Sequence, residues 1–322
     1  GISRNSDQTF YFDARLDWKR SFGDHNLTAM AMYMMREYRS DVLPNRNQGY
    51  SGRVTYDYAS KYLVEFNFGY NGSERLAAGQ RFEFFPAVSA GWVASSEKFW
   101  EPISKYINHF KIRGSYGLVG SDAFASGAPH FLYQNNIGIG SAHKFWTGLP
   151  TSEISKQGPG FYVLAVQDAG WEHVKKFDIG FDMMLFNQLN ITFDYFHDKR
   201  ERILMSRASW PSMLGYWGSK PWSNIGEVEN QGFELSLNWT KQFGKDLTLD
   251  LRGNFTYNQN EYKYVDEPSY PYVWQTNTGK PLNTVKGYIA EGLFASEEEI
   301  ANSPDQSQLG ANIMPGDIKY RD

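Results

Sequence analysis

The 322-residue chain has no cysteine. That excludes a disulfide framework, a thiolate metal site and a cysteine nucleophile. It also has no uninterrupted apolar run of the roughly 20 residues that a bilayer-spanning helix needs. Charge of one sign is not in excess: 32 Lys and Arg stand against 36 Asp and Glu, a formal net charge of −4. Nucleic acid is therefore not an expected partner, because phosphate recognition usually needs a basic stripe. Catalytic motifs are missing as well. There is no G-x-S-x-G elbow, and Gly138 and Gly140 in NIGIGS lack the Lys-Ser/Thr that completes a phosphate loop. His25, His109, His130, His143, His173 and His197 show no paired ligand spacing, so no metal site, cofactor or enzyme activity is expected.

Aromatic residues are abundant. The 21 Tyr, 23 Phe and 10 Trp make up 17% of the chain, yet mean hydropathy is negative. An outer-membrane barrel combines these traits: a polar lumen and polar loops lower the mean, while aromatic girdles raise the ring count.

The dominant pattern has period two, repeated over segments of about ten residues. In TFYFDARLDWK, Phe10, Phe12, Ala14, Leu16 and Trp18 oppose Tyr11, Asp13, Arg15, Asp17 and Lys19. The same alternation runs through GRVTYDY, KYLVEFNFGYN, FKIRGSYGL, KFDIGFDMML, LNITFDYF, GFELSLNW and LTLDLRGNFTY. Arg15, Arg53, Arg113, Asp182, Asp194 and Arg252 fall on the polar faces and are the expected lumen-facing set. In HNLTAMAMYMM that face carries Met30, Met32 and Met34 instead, which suits contact with an internal plug or another protein surface. In FFPAVSAGWV, Val88, Ala90 and Trp92 are expected to face lipid, with Ser89 and Gly91 towards the lumen.

Connections sort by length. Short turns are expected at FGDH (22–25), YASK (58–61), FNQ (186–188) and FGKD (243–246), and longer ones near 38–47, 71–83, 119–172, 199–227 and 259–286. Short turns at one end and long loops at the other is the outer-membrane pattern. Trp18, Phe22, Phe186, Trp239 and Phe243 beside the short turns read as a girdle. About ten strands are visible, with an eleventh expected near GYIAEGLF (287–294). Ser296 before Glu297, Glu298 and Glu299 predicts a capped helical turn. The expected fold is all-β: an antiparallel transmembrane β-barrel, present in part. In the long loops, Trp146, Trp210, Trp217 and Trp222 are the candidate substrate-binding residues, since flat indole faces suit sugar rings or peptide side chains.

Seven blocks carry a resemblance: FFPAVSAGWV, FKIRGSYGLVGSD, WEHVKKFDIGFDMMLFN, ITFDYFHDKRERIL, NIGEVENQGFELSLNW, GNFTYNQN, and GYIAEGLFASEEEI with PGDIKYRD. In this order they resemble the C-terminal barrel half of SusC/RagA-type TonB-dependent transporters of Bacteroidota. The resemblance implies a barrel of 22 strands, of which this chain supplies the segment over residues 1–322. The plug domain, the TonB-contacting segment and the last strands are expected outside it. It further implies placement in the outer membrane, a SusD-like lipoprotein lid and energy supplied through TonB-ExbB-ExbD. Large nutrients are the implied cargo, oligosaccharides first and peptides second. A calcium loop often follows PGDIKYRD in the family; only Asp317 and Asp322 precede that point here, so no metal site is expected. A passive porin-like channel and a soluble carbohydrate-binding β-sandwich are the competing readings.

Overall fold

A computed structural model describes residues 7–39, 44–124, 127–139, 144–148, 154–211, 213, 220–310 and 312–321. The first six strands are β1 (Gln8–Phe22), β2 (His25–Arg39), β3 (Asn45–Tyr58), β4 (Tyr62–Ser73), β5 (Phe82–Trp92) and β6 (Ile107–Ser121). Four short strands follow: β7 (Asn136–Gly138), β8 (Lys144–Thr147), β9 (Ile154–Gln157) and β10 (Gly160–Val163). Long strands resume with β11 (Glu172–Leu185), β12 (Leu189–Ser206), β13 (Trp222–Phe243) and β14 (Leu247–Tyr264). Then come β15 (Ala290–Leu293), helix α1 (Glu297–Ala301) and β16 (Ile318–Tyr320).

Ten strands form one sheet in the order β1-β2-β3-β4-β5-β6-β11-β12-β13-β14. Every neighbouring pair is antiparallel. β1 and β14 each pair on one side only, so the sheet does not close. The chain divides into two compact units, Gly1–Leu282 and Asn283–Asp322. The expected eleventh wall strand is corrected here: β15 pairs with β16 in a two-stranded sheet of its own. Within that second unit, Ser296 caps α1 by accepting the Glu299 N–H at 3.2 Å, and Glu299 Oε2 accepts the Ala295 N–H at 2.8 Å.

The short turns are as tight as the sequence suggests. Gly23 (φ 60°) and Gly244 (φ 68°) provide two of them. The others put non-glycine pairs in the left-handed region: Ala59 and Ser60 at 52° and 57°, Phe186 and Asn187 at 54° and 53°. Such turns match the twist of the flanking strands but are strained without glycine. Neighbouring turns hold them: Ala59 N–H donates to Asp24 O at 2.7 Å, and Phe186 N–H to Tyr106 O at 2.9 Å. The link between β5 and β6 contains two short 3-10 segments, Ala94–Ser96 and Lys98–Ile103. One expected long connection is short: β2 runs to Arg39 and β3 starts at Asn45, with Tyr38 opposite Asn45.

Because side chains alternate along a strand, register assigns every residue a face. One face carries rings in contact across five strands: Phe110–Phe181–Phe193–Phe233–Phe255, with centroids 5.5–6.1 Å apart. Val88, Ala90 and Trp92 lie opposite Phe66, Val64 and Tyr62 and share that face. The opposite face is polar. Few residues are buried in the sheet itself. Leu76, Phe85 and Trp171 form one buried cluster, and Leu132, Ala169 and Leu204 another, both built largely from the long connections.

Position along the strands separates two expectations. Phe181 sits mid-sheet opposite Ile112 and Phe193, whereas Leu249 lies beside the 243–247 turn, opposite Lys241. With the apolar face against lipid, Phe181→Arg should cost about 2–4 kcal/mol and Leu249→Arg about 0–1 kcal/mol. Denaturant unfolding of the full-length protein in lipid vesicles checks this, and equal small losses would show that the face is assigned wrongly.

Candidate functional site

Two regions carry the chemistry: the polar face and the long-loop end. On the polar face Arg113 is the centre of a charge cluster. Its Nη2 donates to Asp194 Oδ2 at 2.7 Å and its Nη1 lies 2.7 Å from Asp194 Oδ1, a two-pronged pairing that suits the guanidinium fork. Its Nε reaches Asp182 at 3.3 Å, and Asp178 stands 3.5 Å from Nη1. The register explains the reach. Arg113 and Asp194 are both opposite Gly180, on either side of β11, so the side chain crosses over a residue that has none. A Cβ at Gly180 would lie 2.2 Å from Asp194 Oδ1 and 2.5 Å from Phe193 O.

The other polar-face candidates have more local partners. Arg15 pairs with Asp17 at 2.7 Å, and Arg53 with Glu65 across β3 and β4. Arg252 lies opposite Asn238 on exposed wall. Met30, Met32 and Met34 sit on this same face, opposite Asp17, Arg15 and Asp13 on one side and Arg53, Ser51 and Gly49 on the other. Alternation in KFDIGFDMML puts Asp178 on the polar face with Asp182; the structure brings both to Arg113 and shows Gly180 to be the gap over which Arg113 reaches Asp194.

At the loop end, β5–β6 pairing stops at Ala87 opposite Gly117. Pro86, with no N–H to donate, is the first residue past that pairing. Phe85 turns into the space so opened and packs on Leu76, Trp171 and Leu118. Gly120 leaves room for its ring, since a Cβ there would lie 2.0 Å from Phe85 Cζ. Leu118, expected on the apolar wall, belongs to this cluster instead. Around it, His173 Nε2 is 2.8 Å from Glu83, Arg202 Nη1 lies 3.7 Å from the same carboxylate, and the Trp171 indole N–H donates to Arg81 O at 3.2 Å. The buried Glu172 accepts the Leu204 N–H at 3.2 Å. Asn224, near the start of β13, ties the connection before β11 to the end of β12, with contacts to Gly170 N, Gly170 O and Arg202 O at 2.8–3.1 Å.

Asp266 joins two further loops. Its buried carboxylate accepts from Ser209 N–H at 3.0 Å and Ser209 Oγ at 2.8 Å, with Arg207 Nε at 3.3 Å. Burial pushes this carboxyl up, but the Ser209 donors and Arg207 outweigh it and hold the group below the usual carboxylate range.

The candidate tryptophans do not share one environment. Trp146 stands 62% exposed on the β8–β9 hairpin, opposite Ser155. Trp210 closes the 207–210 turn beside Ser209, its backbone N–H donating to Arg207 O at 3.3 Å. Trp222 opens β13 and packs against the Leu132–Leu204 cluster, so its ring serves the loop core. Trp217 lies outside the described residues. Asp317 Oδ2 accepts the Met314 N–H at 2.8 Å, a turn contact, and Asp322 also lies outside the described residues. Among the described residues no group of three or more His, Asp or Glu is placed to hold a metal ion.

A wall with one ring-covered face, one charged face and loops knitted at a single end has the organisation of an outer-membrane receptor barrel. The family model described as TonB dependent receptor-like, beta-barrel, matches residues 2–304. The chain belongs to this family. Relatives in it include TonB-dependent receptor P3 of Formosa agariphila, 31% identical over 84% of this chain and 27% of its own length. TonB-dependent receptor P39 of the same organism is 28% identical over 87% of this chain and 26% of its own length. TonB-dependent receptor SusC of Bacteroides thetaiotaomicron is 26% identical over 70% of this chain and 22% of its own. This chain therefore spans about a quarter of the length of the curated relatives it matches. Among solved structures, the RagAB peptide importer in its closed-closed state matches with TM-score 0.70 at 18% identity, over 98% of this chain and 36% of that one. The fold is thus an antiparallel receptor β-barrel, present in part.

Two outcomes follow for this receptor wall. Gly180→Ala forces Phe193 O or Asp194 to move and should cost about 1–3 kcal/mol in denaturant unfolding; an unchanged midpoint would mean the Arg113–Asp194 crossing is not held there. For Asp266, the folded pKa lies below the unfolded one. Its contribution is therefore complete above the unfolded carboxylate value, about pH 4, and is lost as pH falls through the folded value. Hydrogen exchange in 205–210 and 264–280 should speed up together in Asp266→Asn, and in the unsubstituted protein under acid.

Proposed function

We propose that this chain supplies part of the wall and the extracellular loops of an active importer of large nutrients across the outer membrane. The observation that carries the reading is the two-faced sheet: ten strands in unbroken antiparallel order, with rings on one side and ionic pairs on the other. A face of linked aromatic rings is stable against lipid, and charges are affordable only where water or protein meets them. In this reading Arg15, Arg53, Arg113, Asp182, Asp194 and Arg252 face the lumen, where a plug from outside this segment meets them. Energy comes through TonB-ExbB-ExbD, and a SusD-like lipoprotein covers the loop end.

Oligosaccharides are the proposed cargo, with peptides as the second class. Relatives named as TonB-dependent receptors support the energised part of this reading, and the solved RagAB peptide importer keeps peptides as the second class. The knitted loop end supports a fixed docking rim, because loops tied by Asn224, Glu172 and Asp266 present one conformation to a lid.

The test is uptake of labelled oligosaccharides and peptides by cells that depend on this receptor, with and without TonB. Uptake should fall to background when TonB is removed. Uptake that persists unchanged would instead make the barrel a passive porin.

A further inference from the structure

The seam between β5 and β6 is paired only in part, and register shows where the pairing stops. Across β6, β11, β12, β13 and β14, the residues Leu118, Lys175, Lys199, Glu229 and Glu261 lie opposite one another in turn. All but Leu118 are charged. Closer to the short turns, the same face carries Ile179, Tyr195, Phe233 and Tyr257. In the import reading this change from rings to charges is where lipid gives way to water. The last β5–β6 pair is Ala87 with Gly117, the residue before Leu118. The seam is therefore closed wherever lipid would meet unpaired backbone, and it parts only above that row.

Above the row, side chains do the joining. Glu83 of β5 lies 2.8 Å from His173 Nε2 of β11, a contact that crosses β6. Arg202 of β12 brings its Nη1 to 3.7 Å from the same carboxylate and 3.3 Å from His173 Nε2. Phe85 meets the rings of Trp171 and His173 edge-on, at 5.4 and 6.2 Å between centroids. Glycine makes room for both crossings: a Cβ at Gly120 would strike the Phe85 ring, and one at Gly170 would lie 2.4 Å from Arg202 Nη2. Arg202 itself is strained, in the left-handed region at φ 57°. The β12–β13 register shifts around it, between Arg200, Ile203 and Leu204. Bulges re-aim side chains, and backbone strain persists where the surroundings hold it in place.

We infer that Glu83, His173 and Arg202 form a latch on this seam. When it is released, the upper end of β5 and the 74–81 connection part from β6 while the ladder below stays paired. Leu76 and Phe85 are both on the moving side, so parting separates them only from Trp171 and Leu118. Asn224, Glu172 and Asp266 keep the β11–β13 side fixed. Side chains at a wet rim exchange partners with water one at a time, whereas a ladder in lipid has no such substitute. Parting widens the mouth at one point of the wall and so regulates the width of solute admitted. That use rests on the import reading; the latch itself does not.

Hydrogen exchange on the full-length protein in lipid vesicles tests the latch. Segments 81–86 and 118–121 should exchange faster than 87–92 and 112–117. Glu83→Gln, which keeps the side chain's shape, should speed exchange in the first two about tenfold and leave the ladder unchanged. Arg202→Gly suits the left-handed backbone and removes only the guanidinium. It should act in the same direction, and the double variant should add little to either change. Heat-modifiable migration on gels confirms that each variant is folded. Unchanged exchange in Arg202→Gly overturns the latch, as does a rise that spreads equally into 87–92. Its use is read by uptake. Glu83→Cys with His173→Cys, bridged by a short bismaleimide, should slow uptake of long labelled oligosaccharides and peptides and spare short ones. Uptake of long solutes at the unbridged rate overturns the regulating role. Uptake that ignores TonB removes the import reading and leaves the exchange result standing.

Discussion

Register is the constraint on which this structure depends. Side chains alternate with a period of two, so a slip of one residue would exchange the ring face for the charged face over a whole strand. The wall keeps its alignment where that matters. Shifts in pairing occur at Met184/Leu185 beside a turn, at Arg200/Ile203/Leu204, and at Glu227/Val228. All three are near strand ends. Between them the ladder is unbroken, and both the Phe181–Phe193 contact and the Arg113–Asp194 crossing lie in that interval.

Above the interval the rules of the wall lapse and a different kind of packing takes over. β5 parts from β6 at Ala87, and the gap is filled by a side chain, Phe85, in place of backbone pairing. Arg202, at φ 57°, marks a similar departure in β12, and its carbonyl is held by Asn224. The blocks that resemble other receptors, FFPAVSAGWV, RGSYGLVGSD and WEHV, converge on this one place. Their specificity comes from a junction that needs a proline without a donor, a glycine under a ring and a tryptophan to roof it.

Much of the wall was legible in the sequence, because alternation and turn chemistry are local signals. The short turns, the polar-face residues and the capped helix at Ser296 were all readable from neighbours in the chain. What sequence reading missed depends on distant partners. The strand expected in GYIAEGLF has the right composition, but its partner is β16, and nothing local says so. Trp222 looks like a loop tryptophan until Leu132 and Leu204 are seen beneath it. Tyr272 and Trp274 sit in a stretch with prolines and turn residues that reads as plain connection; only the bonds from Lys280 Nζ to Trp274 O and from Gly279 N–H to Tyr262 O show that it is shaped. The Arg113 cluster was half visible: alternation placed the charges on one face, but the role of Gly180 emerges only from the cross-strand alignment.

One pairing in the sheet is unlike the rest in sequence distance. Successive strands are joined by short or moderate connections, except β6 and β11, whose partners Ser121 and Glu172 are separated by the four short strands. Folding therefore has a natural seam. The strands β1–β6 and β11–β14 each form a meander from local hairpins, and bringing the two together means closing a loop of roughly fifty residues. Relative to a five-residue connection, that closure costs about 2 kcal/mol in chain entropy. Leu132, Ala169 and Trp171, which come from the crossing segment itself, make up much of the buried loop core. The segment that makes assembly slow thus provides the contacts that make it hard to undo, and the joining of the two meanders is the step at which a helper for barrel insertion would have most to contribute.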